Sequence, residues 1–73
     1  MKKYRLIKII INNKLLGFYV EERDYFALMA QLPHGWQHLT VYLESKQKTH
    51  LALNWDLIPC IDFAVNEEVL EME

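Results

Sequence analysis

Glycine, proline and cysteine are all scarce in this sequence of 73 residues, which contains two glycines, two prolines and one cysteine. Gly17 and Gly35 are too few to form a phosphate-binding glycine loop, so that type of nucleotide site is excluded. Because Cys60 has no second cysteine to pair with, the class of small domains stabilised by intrachain disulfides is excluded as well. With no low-complexity segment, the composition favours a folded domain over a disordered chain.

Long apolar runs are also missing. No uninterrupted apolar segment approaches the roughly 20 residues that a membrane-spanning helix needs. The N-terminus is basic, but Lys8 interrupts the apolar run that follows and no small-residue cleavage site comes after it, so we expect no signal peptide. These absences favour a cytoplasmic protein with no membrane partner.

The length fits one domain with a modest hydrophobic core. We predict that residues 1–66 form this domain and that residues 67–73 are an acidic tail, frayed unless a partner orders it. The first 14 residues carry five positive charges and no acid, whereas the last 18 carry six negative charges and no base. Either the two ends lie together as neighbouring strands, or they provide a head-to-tail subunit contact or a basic binding face.

The N-terminal third predicts a β-hairpin. Residues 3–11 are rich in isoleucine, a β-branched residue that suits a strand. Tyr4 and Leu6 have the opposite parity to most of these isoleucines, so either both faces are covered or a bulge shifts the phase. The predicted turn is Asn12, Asn13 and Lys14, since asparagine tolerates positive φ, and residues 15–21 return as the second strand.

Residues 24–32 change to helical spacing. Asp24 is the predicted N-cap, and Pro33 with Gly35 should end the helix. The apolar side chains recur at i, i+3, i+4 and i+7, which places them on one helical face: Tyr25, Leu28, Met29 and Leu32.

The C-terminal half alternates again and predicts strands over residues 36–44, 49–55 and 60–65. The element order is then ββαβββ, a small single α+β domain with a mostly antiparallel sheet and one short helix. The alternative is a small SH3-like or Sm-like β-barrel in which the helix is an insertion. Residues 53–61 resemble the strand-turn-strand closure of such barrels.

The histidines and the cysteine lack the spacing of a metal site. His34 and His38 would lie roughly 13 Å apart in an extended chain, and neither is close in sequence to His50 or Cys60. Cys60 has no activating neighbour, so we expect a buried or half-buried structural thiol. The sequence therefore predicts no metal, no cofactor and no catalytic residues.

The third strand carries the candidate binding site. Its aliphatic side chains should pack beneath the helix, which leaves the other face to contact solvent, a partner or, if the sheet curls, the core. Tryptophan and tyrosine are enriched as interface anchors. The candidate interface residues on that face are Trp36, His38, Thr40 and Tyr42.

From these features we predict a non-enzymatic intracellular module that acts through protein–protein contacts, with another protein or as a homodimer, in a binding or regulatory role. The alternative is a nucleic-acid-binding domain that stacks bases on the aromatic face of the third strand. Its phosphate contacts would come from the basic N-terminal strand, at Lys2, Lys3, Arg5 and Lys8.

Overall fold

The isoleucine-rich N-terminal segment forms the centre of an antiparallel sheet. In the computed structural model, which describes residues 2–64 and 69–72, β1 (Lys2–Ile11) pairs with β2 (Lys14–Glu21). Their register is continuous, so no bulge shifts the phase of β1, and its mixed alternation reflects burial on both faces. Asn12 and Asn13 form the turn with φ of 51° and 61°, as a two-residue hairpin with the right-handed twist of a sheet requires.

The other elements confirm the small α+β domain with the ββαβββ order, and a short sixth strand follows the five predicted ones in the antiparallel sheet of the described residues. Across the sheet the strands run β4-β3-β2-β1-β5, and a short sixth strand also lies beside β1. After β2 the elements are α1 (Glu22–Ala30), β3 (Trp36–Leu43), β4 (Lys48–Asn54), the 3-10 turn Trp55–Leu57, β5 (Cys60–Asp62) and β6 (Leu70–Met72).

The sheet is open, which argues against the small closed barrel. β4 and β5 stand at opposite ends of the strand order, and no pairing joins them among the described residues. Within the same residues, no helix has the length and apolar character that crossing a membrane would require.

The helix begins earlier than its sequence pattern predicts. Glu21, not Asp24, is the N-cap, and it makes no side-chain capping hydrogen bond. Because β2 runs directly into α1 without a loop, Asp24 falls in the first helical turn, where a carboxylate suits the positive end of the helix dipole. The helix ends at Ala30, so Leu32 lies beyond it and is exposed.

We call the sheet face against which α1 packs the covered face, and the opposite one the open face. The hydroxyl of Tyr25 in α1 donates a hydrogen bond to the Phe63 carbonyl oxygen at 2.7 Å, which ties the helix to the segment after β5. The core cluster on the covered face consists of Ile7, Ile9, Phe18, Val20, Tyr25, Leu28, Val41, Leu53 and Trp55.

The two ends of the chain lie together as neighbouring strands. β5 and β6 pair with the two halves of β1, so that Lys8 lies opposite Asp62 and Lys3 opposite Glu71. Residues 70–72 of the predicted frayed tail are thus ordered by β1 of the same chain. The proposed boundary after residue 66 and the inward side chain of Val65 lie outside the described residues.

Candidate functional site

The candidate interface residues of β3 share the open face, as their parity predicts. The register with β4 pairs Thr40 with His50 and Tyr42 with Lys48, and it leaves Leu39 and Val41 on the covered face. Thr40 Oγ1 and His50 Nδ1 lie 3.2 Å apart, within hydrogen-bond distance. The antiparallel pleat is thus sufficient to bring Trp36, His38, Thr40 and Tyr42 to one side of the sheet.

These four side chains differ sharply in exposure. The side chain of Trp36 is 66% exposed, and His38 and Thr40 are exposed as well. Tyr42 is only 8% exposed, because its ring packs edge-to-face against Tyr4 of β1 with the ring centroids 4.9 Å apart. The accessible part of the candidate interface is therefore the start of β3, and Tyr42 belongs to a buried aromatic pair beneath the surface.

A network around Asp56 holds the segment that leads into Trp36. The Asp56 carboxylate accepts a hydrogen bond from the Gly35 backbone N–H at 3.0 Å and lies 3.4 Å from His34 Nδ1. The N–H of Trp55 donates to the Gly35 carbonyl oxygen at 3.0 Å. Gly35 has a φ of +69°, which glycine adopts without steric cost. These bonds place an exposed tryptophan on a segment with fixed geometry.

A cleft opens beside these residues because β2 and β3 separate. Their pairing stops at Tyr19 and Tyr42, although β2 continues to Glu21 and β3 extends back to Trp36. The resulting cavity has a volume of about 370 Å³. Its lining comes from five elements and consists of Lys2, Tyr4, Glu21, Asp24, His38, Leu39, Thr40 and Lys48.

The cleft carries charges of both signs. Lys2 Nζ lies 4.0 Å from Glu21 Oε2, while Asp24 and Lys48 also reach the cavity. Burial raises the pKa of the Tyr4 hydroxyl, and the nearby Tyr42 and Glu21 raise it further. Such a surface offers donors and acceptors for a polar backbone or side chain, and it is not a purely basic groove.

The four basic residues proposed as nucleic-acid contacts do not form one surface. Lys2 and Lys8 lie on the open face, whereas Lys3 and Arg5 have the opposite parity. The Arg5 Nε donates to Glu22 Oε2 at 2.9 Å, and its guanidinium stacks over the rings of two helix residues, Tyr25 and Phe26. These contacts of Arg5 hold α1 against the sheet.

Cys60 is exposed, contrary to the expected burial. It lies on β5 opposite Ile10, on the open face. Among the described residues, no three histidine, cysteine, aspartate or glutamate side chains converge as metal ligands would.

The separation of β2 from β3 and the free edge of β4 could not be found from the sequence. The alternation of β3 and β4 shows that each is a strand, but no signal in it reports strand order or where a ladder stops. Comparisons with protein-family models, with curated proteins and with solved structures found no match for this chain. The features that bear on function are therefore those of the fold itself: a small α+β domain whose open face presents an exposed tryptophan, Trp36, at the start of β3.

Proposed function

We propose that this chain is a non-enzymatic, intracellular binding module that acts by protein–protein contact, in a regulatory or accessory role. The observation that carries the proposal is the exposure of Trp36 on a sheet face, beside His38, Thr40 and the mixed-charge cleft. A tryptophan buries a large area when a partner covers it, and its indole N–H needs a hydrogen-bond acceptor, so it suits an interface anchor. The partner is another protein or a second copy of this chain.

The geometry supports a preformed site. The hydrogen bonds from Gly35 to Asp56 and from Trp55 to Gly35 fix the backbone just before Trp36. A backbone segment held in this way loses less conformational entropy on binding than a mobile loop does. The cleft alongside it can receive polar groups of the partner.

The test compares Trp36 with an equally exposed apolar side chain elsewhere. Leu57 lies in the 3-10 turn and is also 66% exposed, so L57A is a matched control for W36A. Random peptides displayed on phage are selected on the immobilised protein, and the ligands obtained are measured against both variants. We expect W36A to weaken binding at least about tenfold, the range of an interface anchor, with L57A close to wild type.

Size-exclusion chromatography with light scattering tests self-association in parallel. A mass above that of the monomer that W36A reduces would identify a second copy as the partner. The proposal is wrong if the protein is monomeric at high concentration and either no ligand is enriched or the ligands bind W36A as strongly as wild type.

Nucleic-acid binding is the second candidate, because Lys2 and Lys48 lie on the same face as Trp36. It has less support, since Glu21 and Asp24 line the same cleft and Arg5 is paired with Glu22. It predicts binding to single-stranded oligonucleotides that weakens as salt rises. Absence of binding at low salt would rule it out.

A further inference from the structure

The outer edge of β4 has the hydrogen-bonding groups of an unpaired strand. Among the described residues, β4 pairs only with β3. Two hydrogen bonds fix which groups face inward, from the Trp55 N–H to the Gly35 oxygen and from the Leu43 N–H to the Gln47 oxygen. Because paired groups alternate along an antiparallel ladder, odd-numbered residues of β4 bond to β3. The backbone N–H and C=O groups of Lys48, His50 and Ala52 therefore point outward.

This edge lacks most of the features that protect sheet edges from pairing. β4 is seven residues long, contains no proline, and keeps an unbroken register with β3. At the other end of the sheet, β5 and β6 have three residues each, and Pro59 immediately precedes β5. Long, regular edges are templates for an added strand, whereas short edges are poor ones.

The positive charge on and just before β4 indicates which kind of strand could pair with this edge. Lys46 and Lys48 are exposed, His50 is exposed beside them, and residues 45–55 contain no aspartate or glutamate. An incoming acidic strand would gain electrostatic attraction along this edge. Antiparallel pairing with a second β4 about Leu51 would instead place Lys48 opposite Asn54 and gain no ion pair.

We propose that the outer edge of β4 receives an acidic, extended segment of a partner protein as an added antiparallel strand. This inference rests on the proposed protein-binding function and specifies the mode of contact and the chemistry of the partner. Main-chain hydrogen bonds at Lys48, His50 and Ala52 would provide affinity, and the lysines would favour carboxylates.

The probe is a fluorescent peptide of about eight residues that alternates glutamate with valine, a length typical of strands. Its affinity for the full chain is measured by fluorescence anisotropy at low salt. We expect binding that weakens as salt screens the lysines. A peptide that alternates lysine with valine should not bind, and neither should the acidic peptide with a central proline.

Substitutions at Ala52 distinguish main-chain pairing at the edge of β4 from non-specific electrostatic attraction between peptide and protein. A52P removes an outward N–H without removing a bond to β3, and proline is tolerated on the free side of an edge strand. A52V keeps the N–H and suits a strand, so it is the matched control. We expect A52P to weaken binding at least about tenfold and A52V to change it less than about twofold. Circular dichroism and thermal unfolding establish that both variants fold.

Charge reversal provides a second set of variants that does not depend on proline. K48E should weaken binding of the acidic peptide by about three- to tenfold, since its carboxylates would then face a like charge. The same variant should bind the basic peptide, since opposite charges would face each other. Lys14 is exposed at the start of β2, away from β4, so K14E is the control and should leave the affinity almost unchanged.

Amide hydrogen exchange followed by NMR gives a residue-level readout on the wild-type chain. The amides of Lys48, His50 and Ala52 should gain protection when the acidic peptide binds, whereas those of Thr49 and Leu51 are already bonded to β3 and should change little. The proposal is wrong if this alternation is absent, if A52P binds like A52V, or if the acidic peptide does not bind at low salt.

Two further outcomes would overturn it in different ways. If the free protein is a dimer with these amides already protected and A52P makes it monomeric, a second copy occupies the edge. If ligands from the display selection lose affinity for W36A but not for A52P, the protein-binding function stands and strand addition is wrong.

Discussion

The covered and the open face of the sheet consist of the same strands but exclude water by different means. On the covered face, α1 forms a second layer, and Ile7, Ile9, Phe18 and Val20 are completely buried. Arg5 and Tyr25 fasten this layer, through an ion pair with Glu22 and a hydrogen bond to Phe63. Burial there depends on packing between two elements, as in most small domains.

No helix of the described residues lies over the open face, yet the centre of that face is almost as inaccessible to solvent. Tyr4, Leu6 and Tyr42 are 6–8% exposed, because the two tyrosine rings meet edge-to-face and shield their neighbours. Towards the hairpin turn, Ile10 and Leu15 face each other across β1 and β2 and remain exposed. Within the part of the chain that the structure describes, large rings thus bury the middle of this sheet face without a helix above it, and the ends of the face stay exposed.

The largest effect should follow from removing a ring from the covered face. Phe18→Ala leaves a cavity between sheet and helix, and such substitutions cost about 3–5 kcal/mol. One small core rarely supplies more than about 3–5 kcal/mol of stability. We therefore expect the variant to be largely unfolded at 25 °C by circular dichroism, while Phe18→Leu remains folded. A cooperative urea transition close to that of wild type would contradict this view of the covered face.

Removing a ring from the open face should cost less. Tyr42→Ala removes the ring contact with Tyr4 but leaves no cavity between the sheet and the helix. We therefore expect the free energy of unfolding, measured by urea denaturation, to fall by about 2–3 kcal/mol. A double-mutant cycle with Tyr4 should give a coupling of about 0.5–1.5 kcal/mol. A loss equal to that of Phe18→Ala would show that the two faces do not differ in the way proposed.

Local periodicity was enough to predict the four long strands, the helix and the parity of β3. It also placed Tyr25 and Leu28 on the buried side of α1, although Met29 of the same predicted face is exposed. It predicted the turn at Asn12 and Asn13, because their left-handed backbone is a local preference of asparagine. These features depend on neighbours within one element.

Features that depend on distant partners were missed. Residues 70–72 form a strand only because β1 offers them an edge, and three residues carry no alternation of their own. Exposure of Cys60 and the opening between β2 and β3 likewise follow from strand order, which the sequence does not encode locally. The end of β5 at Asp62, short of the predicted residue 65, was also missed although its cause is local: the Asp62 side chain accepts a hydrogen bond from the Ala64 N–H.

A smaller effect should come from one hydroxyl group on the covered face. Tyr25→Phe removes the donor to the Phe63 carbonyl oxygen and keeps the ring, so we expect a loss of about 1 kcal/mol. Tyr19 on the open face has no hydroxyl hydrogen bond among the described residues, and Tyr19→Phe is the control with almost no change. Equal effects of the two substitutions in urea denaturation would indicate that the bond to Phe63 does not fasten the helix.

The smallest effect should appear only in alkaline solution, with one tyrosine from each face. Burial raises the pKa of both Tyr4 and Tyr25 above the ordinary value of 10.0. Above pH 10 the unfolded chain therefore loses these protons first, so stability is complete below that pH and falls as the pH rises past it.

The charges around the two tyrosines predict which of them contributes more. Tyr42 and Glu21 raise the pKa of Tyr4 further, whereas at Tyr25 the positive charge of Arg5 offsets part of the shift in pKa and the smaller effect of Asp62 adds to it. We expect Tyr4→Phe to reduce the alkaline loss of stability more than Tyr25→Phe, measured by urea denaturation from pH 8 to 11. The comparison uses differences from wild type, so that effects of alkaline pH common to every variant cancel. A larger effect of Tyr25→Phe would mean that the charge of Arg5 does not offset the rise in the pKa of Tyr25 that burial causes.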